Sequence, residues 1–180
     1  MRSGGANFYV ARGELDRRLD EAEGYVMLRM PERALEVLHG RAIWAPRQFK
    51  ANYLYGQALR LLGRYREALK PLEIAAAIDP QDVGAAIGLG WCYKRTHRLA
   101  QAIDALERVK RSSPLSVAVR YNLACYWCLA GNHRRALDEL RAALDLKPSL
   151  RHQADRDSDF NALRRDAEFL RLCSLEPVSS

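Results

Sequence analysis

Long apolar runs are missing from this chain of 180 residues, and with them any stretch that reads as a bilayer span. The opening residues, Met1 to Phe8, hold one arginine and no apolar core. No secretory leader is therefore expected, and the cytoplasm is the default. Cysteine is scarce: Cys92, Cys125, Cys128 and Cys173 are the whole supply. Without an export signal these do not read as a disulfide framework. Glycine-rich phosphate loops, a nucleophile elbow and a paired metal-binding histidine motif are also absent. His39, His97, His133 and His152 have no aspartate and nucleophile at suggestive spacing. The expectation is a protein that is not an enzyme and carries no cofactor.

Charge of one sign is not concentrated anywhere. The net charge is +7, but the arginines are scattered beside Asp and Glu, as in Gly13 to Glu23. A diffuse excess of this kind fits a solvated helical surface better than a phosphate footprint. A nucleic-acid-associated basic repeat protein stands as one alternative. A thiol-based metal or redox module at Cys92, Cys125 and Cys128 is another, weakened by the missing fourth ligand and by the mid-helix position of the last two.

What is present is a period. Pro46, Pro80, Pro114 and Pro148 return every 34 residues, as expected of a helical repeat array. Counting each repeat from 31 positions before its proline gives units 15–48, 49–82, 83–116 and 117–150. Column eight then reads Ala22, Gly56, Gly90 and Ala124. Column twenty reads Ala34, Ala68, Ala102 and Ala136, and column twenty-four reads Leu38, Leu72, Leu106 and Leu140. Small residues recur where two helices must approach, and large ones where the gap must be filled. Each unit predicts helix, turn, helix. Gly63 and Gly131 supply turns that tolerate positive φ, and His97 is a less comfortable occupant of the same column. Asp82 is a good N-cap for the next helix.

These features resemble the tetratricopeptide repeat family over about residues 15 to 150. Tyr53–Leu72 and Tyr121–Leu144 carry the resemblance best. It implies an all-α, right-handed α-solenoid of about four antiparallel helix pairs, whose first helices line a concave groove. Residues 1–14 are expected to extend or cap the first helix, although Gly4, Gly5 and Gly13 argue against firm order. Residues 151–176 are expected to form a C-terminal capping segment over the face that no fifth repeat covers, and 177–180 a loose tail. Departures from the family pattern include Arg18, Asn52 and Arg120 in column four, Glu21 and Arg41 at apolar columns, and Pro71 inside a helix, where a kink is expected.

Carried over column by column, the resemblance implies a peptide-binding groove at Lys50, Tyr53, Gln57, Arg60, Trp91, Lys94, Arg95 and Tyr121. Aromatic rings among donors and cations suit a partner peptide carrying some acidic residues. The competing expectation is that these rings pack against neighbouring first helices. The residues needed for a chaperone-tail carboxylate clamp are missing in either register, so that partner is not expected. Self-association of incompletely matched ends remains open.

Overall fold

A computed structural model describes residues 4–39 and 48–174. Arg41, Pro46 and the expected loose tail lie outside the described residues, as do the side chains before Gly13. Among the described residues all regular structure is helical.

The helix boundaries keep the 34-residue beat. The first helices of successive repeats end at Met27, Leu61, Arg95 and Leu129, and the second helices start at Pro31, Tyr65, Leu99 and His133. In order these are α1 (Gly4–Met27), α2 (Pro31–Leu38), α3 (Phe49–Leu61), α4 (Tyr65–Ile78), α5 (Val83–Arg95), α6 (Leu99–Ser112), α7 (Val117–Leu129) and α8 (His133–Leu146). A short α9 (Arg151–Arg156), a 3-10 segment (Ser158–Leu163) and α10 (Ala167–Cys173) follow.

The turn inside each repeat is the same object four times. Arg29, Gly63, His97 and Gly131 have φ of 55°, 74°, 60° and 77°. The amide one position further reaches back across each turn: Met30 N to Tyr25 O, Arg64 N to Leu59 O, Arg98 N to Tyr93 O and Asn132 N to Trp127 O, all at 2.8–2.9 Å. This is the Schellman closure, which satisfies carbonyls that the helix end would otherwise leave unpaired. Two of the four positions are not glycine, and Arg29 gives no sequence signal for the conformation it adopts.

The chain divides into two compact units, Met1–Cys92 and Tyr93–Ser180. In the first, Ala22, Ala34, Leu38, Ala68 and Leu72 have no exposed surface. The approach of α3 to α4 is close enough that a Cβ on Gly56 would lie 2.5 Å from Leu72 Cγ. Column eight is small for that reason. Pro71 is buried in α4, and the helix continues past it to Ile78. In the second unit Ala102, Leu106, Ala124, Ala136 and Leu140 are equally sealed.

The polar residues of column four have partners of their own. Arg18 donates to the carbonyls of Val37 and His39 at 2.7 and 2.9 Å, at the end of α2. Asn52 donates to Gln48 O, and Arg120 to Pro114 O and the Glu139 carboxylate. These side chains close carbonyls at chain bends. Glu21 is exposed, in keeping with a polar end repeat.

The segment after Pro148 begins as another repeat would. α9 opens at Arg151, 34 residues after Val117 opens α7, but it stops at Arg156. Asp157 turns the chain and caps the 3-10 segment by accepting from Asp159 N at 3.0 Å. That segment lies against α7, and α10 packs on α8 and α9. Phe160, Leu163 and Phe169 are fully buried there, with the two phenyl rings 5.6 Å apart.

Candidate functional site

The first-helix columns implied to line a groove are distributed over the two units, and each unit is built separately.

In the first unit, Lys50 stands in the opening turn of α3. Its ammonium pairs with Asp20 at 2.6 Å and Glu23 at 2.7 Å, both on α1. The hydrogen bonds to Asp20 and then Glu23 raise its pKa, so it stays charged. Tyr53, one turn on, stacks parallel to Phe49 at 5.6 Å. Its hydroxyl lies against α5, where a Cβ on Gly84 would meet it at 2.6 Å. Burial, followed by the charge of Asp82, pushes this phenol upward, so it remains a neutral donor. Gln57 is only 6% exposed. Its carbonyl oxygen accepts from Arg60 Nε at 2.7 Å, and its amide donates to Gly84 O at 3.4 Å. Glycine at positions 84 and 88 makes room for these two side chains. Among the described residues of this unit, Trp91 is the large ring left in view, at 38% exposure.

Lys50, Tyr53, Gln57 and Arg60 therefore form one continuous face of α3. Lys50 is tied to α1 and Gln57 to α5, so the face is partly consumed by packing between first helices.

In the second unit two of the implied groove residues, Tyr121 and Lys94, are engaged by the tail. Tyr121 is 7% exposed and donates its hydroxyl to Asp157 Oδ2 at 3.0 Å. Its ring meets Phe160 edge-on at 5.8 Å, with the planes at 89°. Lys94 pairs through its ammonium with Asp159. Cys125 lies under the same turn, its sulfur 3.9 Å from Asp157 Oδ2. Arg95 is exposed. Residues 157–163 lie along α7, on positions that the family resemblance implies for a ligand.

Ligand-type atoms of Cys125, Asp157 and Asp159 lie within 4.8 Å of one another. Both carboxylates already have donors, Tyr121 for Asp157 and Lys94 for Asp159. Burial, with Asp157 second, pushes the Cys125 thiol far above its ordinary range, so it is not a ready thiolate. Burial likewise raises Cys92 and Cys173 to about 11, and Cys128 in the same direction. These side chains make a hydrogen-bonded cluster in which Lys94 balances Asp159 and the neutral Tyr121 hydroxyl serves Asp157. Sequence reasoning missed Asp157 and Asp159 because their contacts fall outside the 34-residue phase.

The comparisons with known proteins agree with this architecture. Two models described as "Tetratricopeptide repeat" match residues 19–83 and 59–124, together more than half of the chain. The chain belongs to the tetratricopeptide repeat family. Among curated proteins, BBSome complex member BBS4 of Bos taurus is 23% identical over 126 residues, which cover 70% of this chain. This tetratricopeptide protein spans only 24% of that relative's length. Among solved structures, MamA 41-end from Desulfovibrio magneticus RS-1 superposes with a TM-score of 0.72 at 19% identity, covering 88% of this chain and 93% of that one. YrrB, described as a TPR protein with an unusual peptide-binding site, gives a TM-score of 0.63 at 23% identity, covering 79% and 83%. Likeness at this level of identity concerns the fold. No helix among the described residues is long and apolar enough to cross a membrane.

Proposed function

We propose that this tetratricopeptide protein is a non-catalytic scaffold that holds a peptide-like segment of a partner protein against its first helices. In the first unit the working surface is Tyr53, Arg60 and Trp91, with Lys50 and Gln57 holding it in place. In the second it is Lys94, Arg95 and Tyr121. The observation that carries the reading is the covered face of α7: a stretch of chain that is no part of a helix pair already lies there, gripped by side chains of the lining columns. The neighbour YrrB, with its peptide-binding site, and the complex member BBS4 support the same class of work. A cytoplasmic location belongs with this proposal and is tested by cell fractionation.

Trp91 offers the cleanest test, because its ring is exposed while Tyr53 and Gln57 also pack against α5. Trp91→Ala is expected to weaken partner binding by about 2 kcal/mol or more. The far-ultraviolet circular dichroism of the variant should match that of the parent. Affinity purification from the native host compares proteins retained by the parent and by the variant. A folded variant that retains the same set at the same salt concentration overturns the reading.

A further inference from the structure

The tail on α7 is an intramolecular complex, and it displays the chemistry of the face it covers. Tyr121 takes the first carboxylate, Asp157, and Lys94 takes the second, Asp159, two residues further on. The next residue, Phe160, is fully buried and meets the Tyr121 ring edge-on. Three consecutive features of a short segment are thus read by side chains of α5 and α7: acid, acid two positions later, then an aromatic ring. The segment is a 3-10 turn, whose hydrogen bonds are poorer than those of an α-helix, so side-chain contacts hold it.

We propose that the α7 face is a recognition site for an acid–x–acid–aromatic segment of a partner protein, with Asp157–Phe160 as its resident occupant. This rests on the reading of the first helices as peptide-holding. A partner presenting the same motif replaces like with like: a carboxylate on the Tyr121 hydroxyl, a carboxylate on the Lys94 ammonium, and a ring in the Phe160 pocket. Nothing is lost at the face in the exchange. The resident segment has the advantage of tethering, which is worth a local concentration on the order of millimolar. The parent chain therefore binds such a partner weakly, in proportion to the fraction of time its own tail is away.

The probe is a fluorescent peptide of the sequence Arg-Asp-Ser-Asp-Phe-Asn-Ala-Leu, followed by anisotropy against the full chain. Phe160→Ala in the chain loosens the resident segment and is expected to tighten peptide binding at least tenfold over the parent. Asp157→Asn with Asp159→Asn in the chain is the second host, used where Phe160→Ala does not fold, and the same tightening is expected. Replacing both aspartates of the peptide by asparagine, or adding Lys94→Met to either host, is expected to reduce the affinity at least tenfold. Equal binding of the acidic and the asparagine peptides overturns the proposal. So does a folded loosened host that binds no better than the parent. Failure of the peptide with partner capture intact leaves the scaffold reading standing, whereas a Trp91→Ala variant with normal capture removes that reading instead.

Discussion

The substitution Gly→Ala has opposite signs at two positions of this chain, and the difference tests the packing argument directly. Gly56 sits in column eight of α3, facing α4. An added Cβ would lie 2.5 Å from Leu72 Cγ, 2.8 Å from Leu72 Cδ2 and 3.3 Å from Leu72 N. Ordinary carbon contacts lie at roughly 3.5–4.0 Å, so about 1 Å must be found. Leu72 has no exposed surface into which to swing, and the nearby backbone nitrogen cannot move alone. Overpacking of this kind costs about 1–3 kcal/mol, against a gain of up to about 1 kcal/mol from replacing glycine inside a helix. The net expectation for Gly56→Ala is a loss of about 1–2 kcal/mol. Gly24, in α1, has nothing within 4 Å of its would-be Cβ. Gly24→Ala therefore keeps only the helical gain, about 0.5–1 kcal/mol of added stability. Urea unfolding followed at 222 nm reads both, and the transition midpoint should fall for the first and rise for the second. Circular dichroism of the unperturbed baseline checks that each variant remains folded. A Gly56→Ala variant as stable as Gly24→Ala would refute the close approach of α3 to α4.

The turns and the thiols supply two more expectations. Arg29→Gly and His97→Gly should each add about 0.5–1 kcal/mol, because both residues are held at positive φ, while Gly63→Ala and Gly131→Ala should each cost about 1–2 kcal/mol. Thermal midpoints in that order confirm a backbone cause, since the space around both glycines is open; the reverse order rejects it. All four cysteines are buried, with Cys92 and Cys173 raised to about 11. The fold therefore holds the neutral thiols: their contribution to stability is complete below the unfolded thiol pKa of about 8.5 and declines as pH climbs from there toward about 11. A disulfide-exchange reagent at pH 8 should leave the native thiols unmodified over minutes and react with all four in denaturant. Rapid native modification would contradict this burial.

Most of the helical framework was legible because it is periodic. A column that is alanine four times, such as column twenty, is small for one reason repeated, and all four side chains are fully buried. The same periodicity explains what was hidden. The bond from Tyr121 to Asp157 spans 36 residues and has no counterpart in the other repeats, so an alignment of columns carries no trace of it. Arg29 takes a left-handed conformation because its turn closes through Met30 N and Tyr25 O, a constraint set by position and not by side chain. Arg18 and Arg120 read as departures from the apolar pattern, because the column gives no sign of the chain-bend carbonyls they satisfy, 19 residues away for Arg18 and six for Arg120. α1 runs from Gly4 through the glycines of the opening segment. Of the eight implied groove residues, Trp91 and Arg95 are exposed while Gln57 and Tyr121 are committed to packing, a distinction that helix phase alone does not make.

The brief helix at Arg151 has a consequence for how such a gene can lengthen. The chain enters a would-be fifth unit on schedule and abandons it at Asp157, spending the following residues on its own fourth unit. A repeat spliced in ahead of Val83 would carry that ending along intact, because Lys94, Tyr121 and the tail all lie beyond it. One inserted between Tyr121 and Asp157 would separate Asp157, Asp159 and Phe160 from Tyr121 and Lys94, leaving α7 bare, so growth of the array is confined to the stretch before α5.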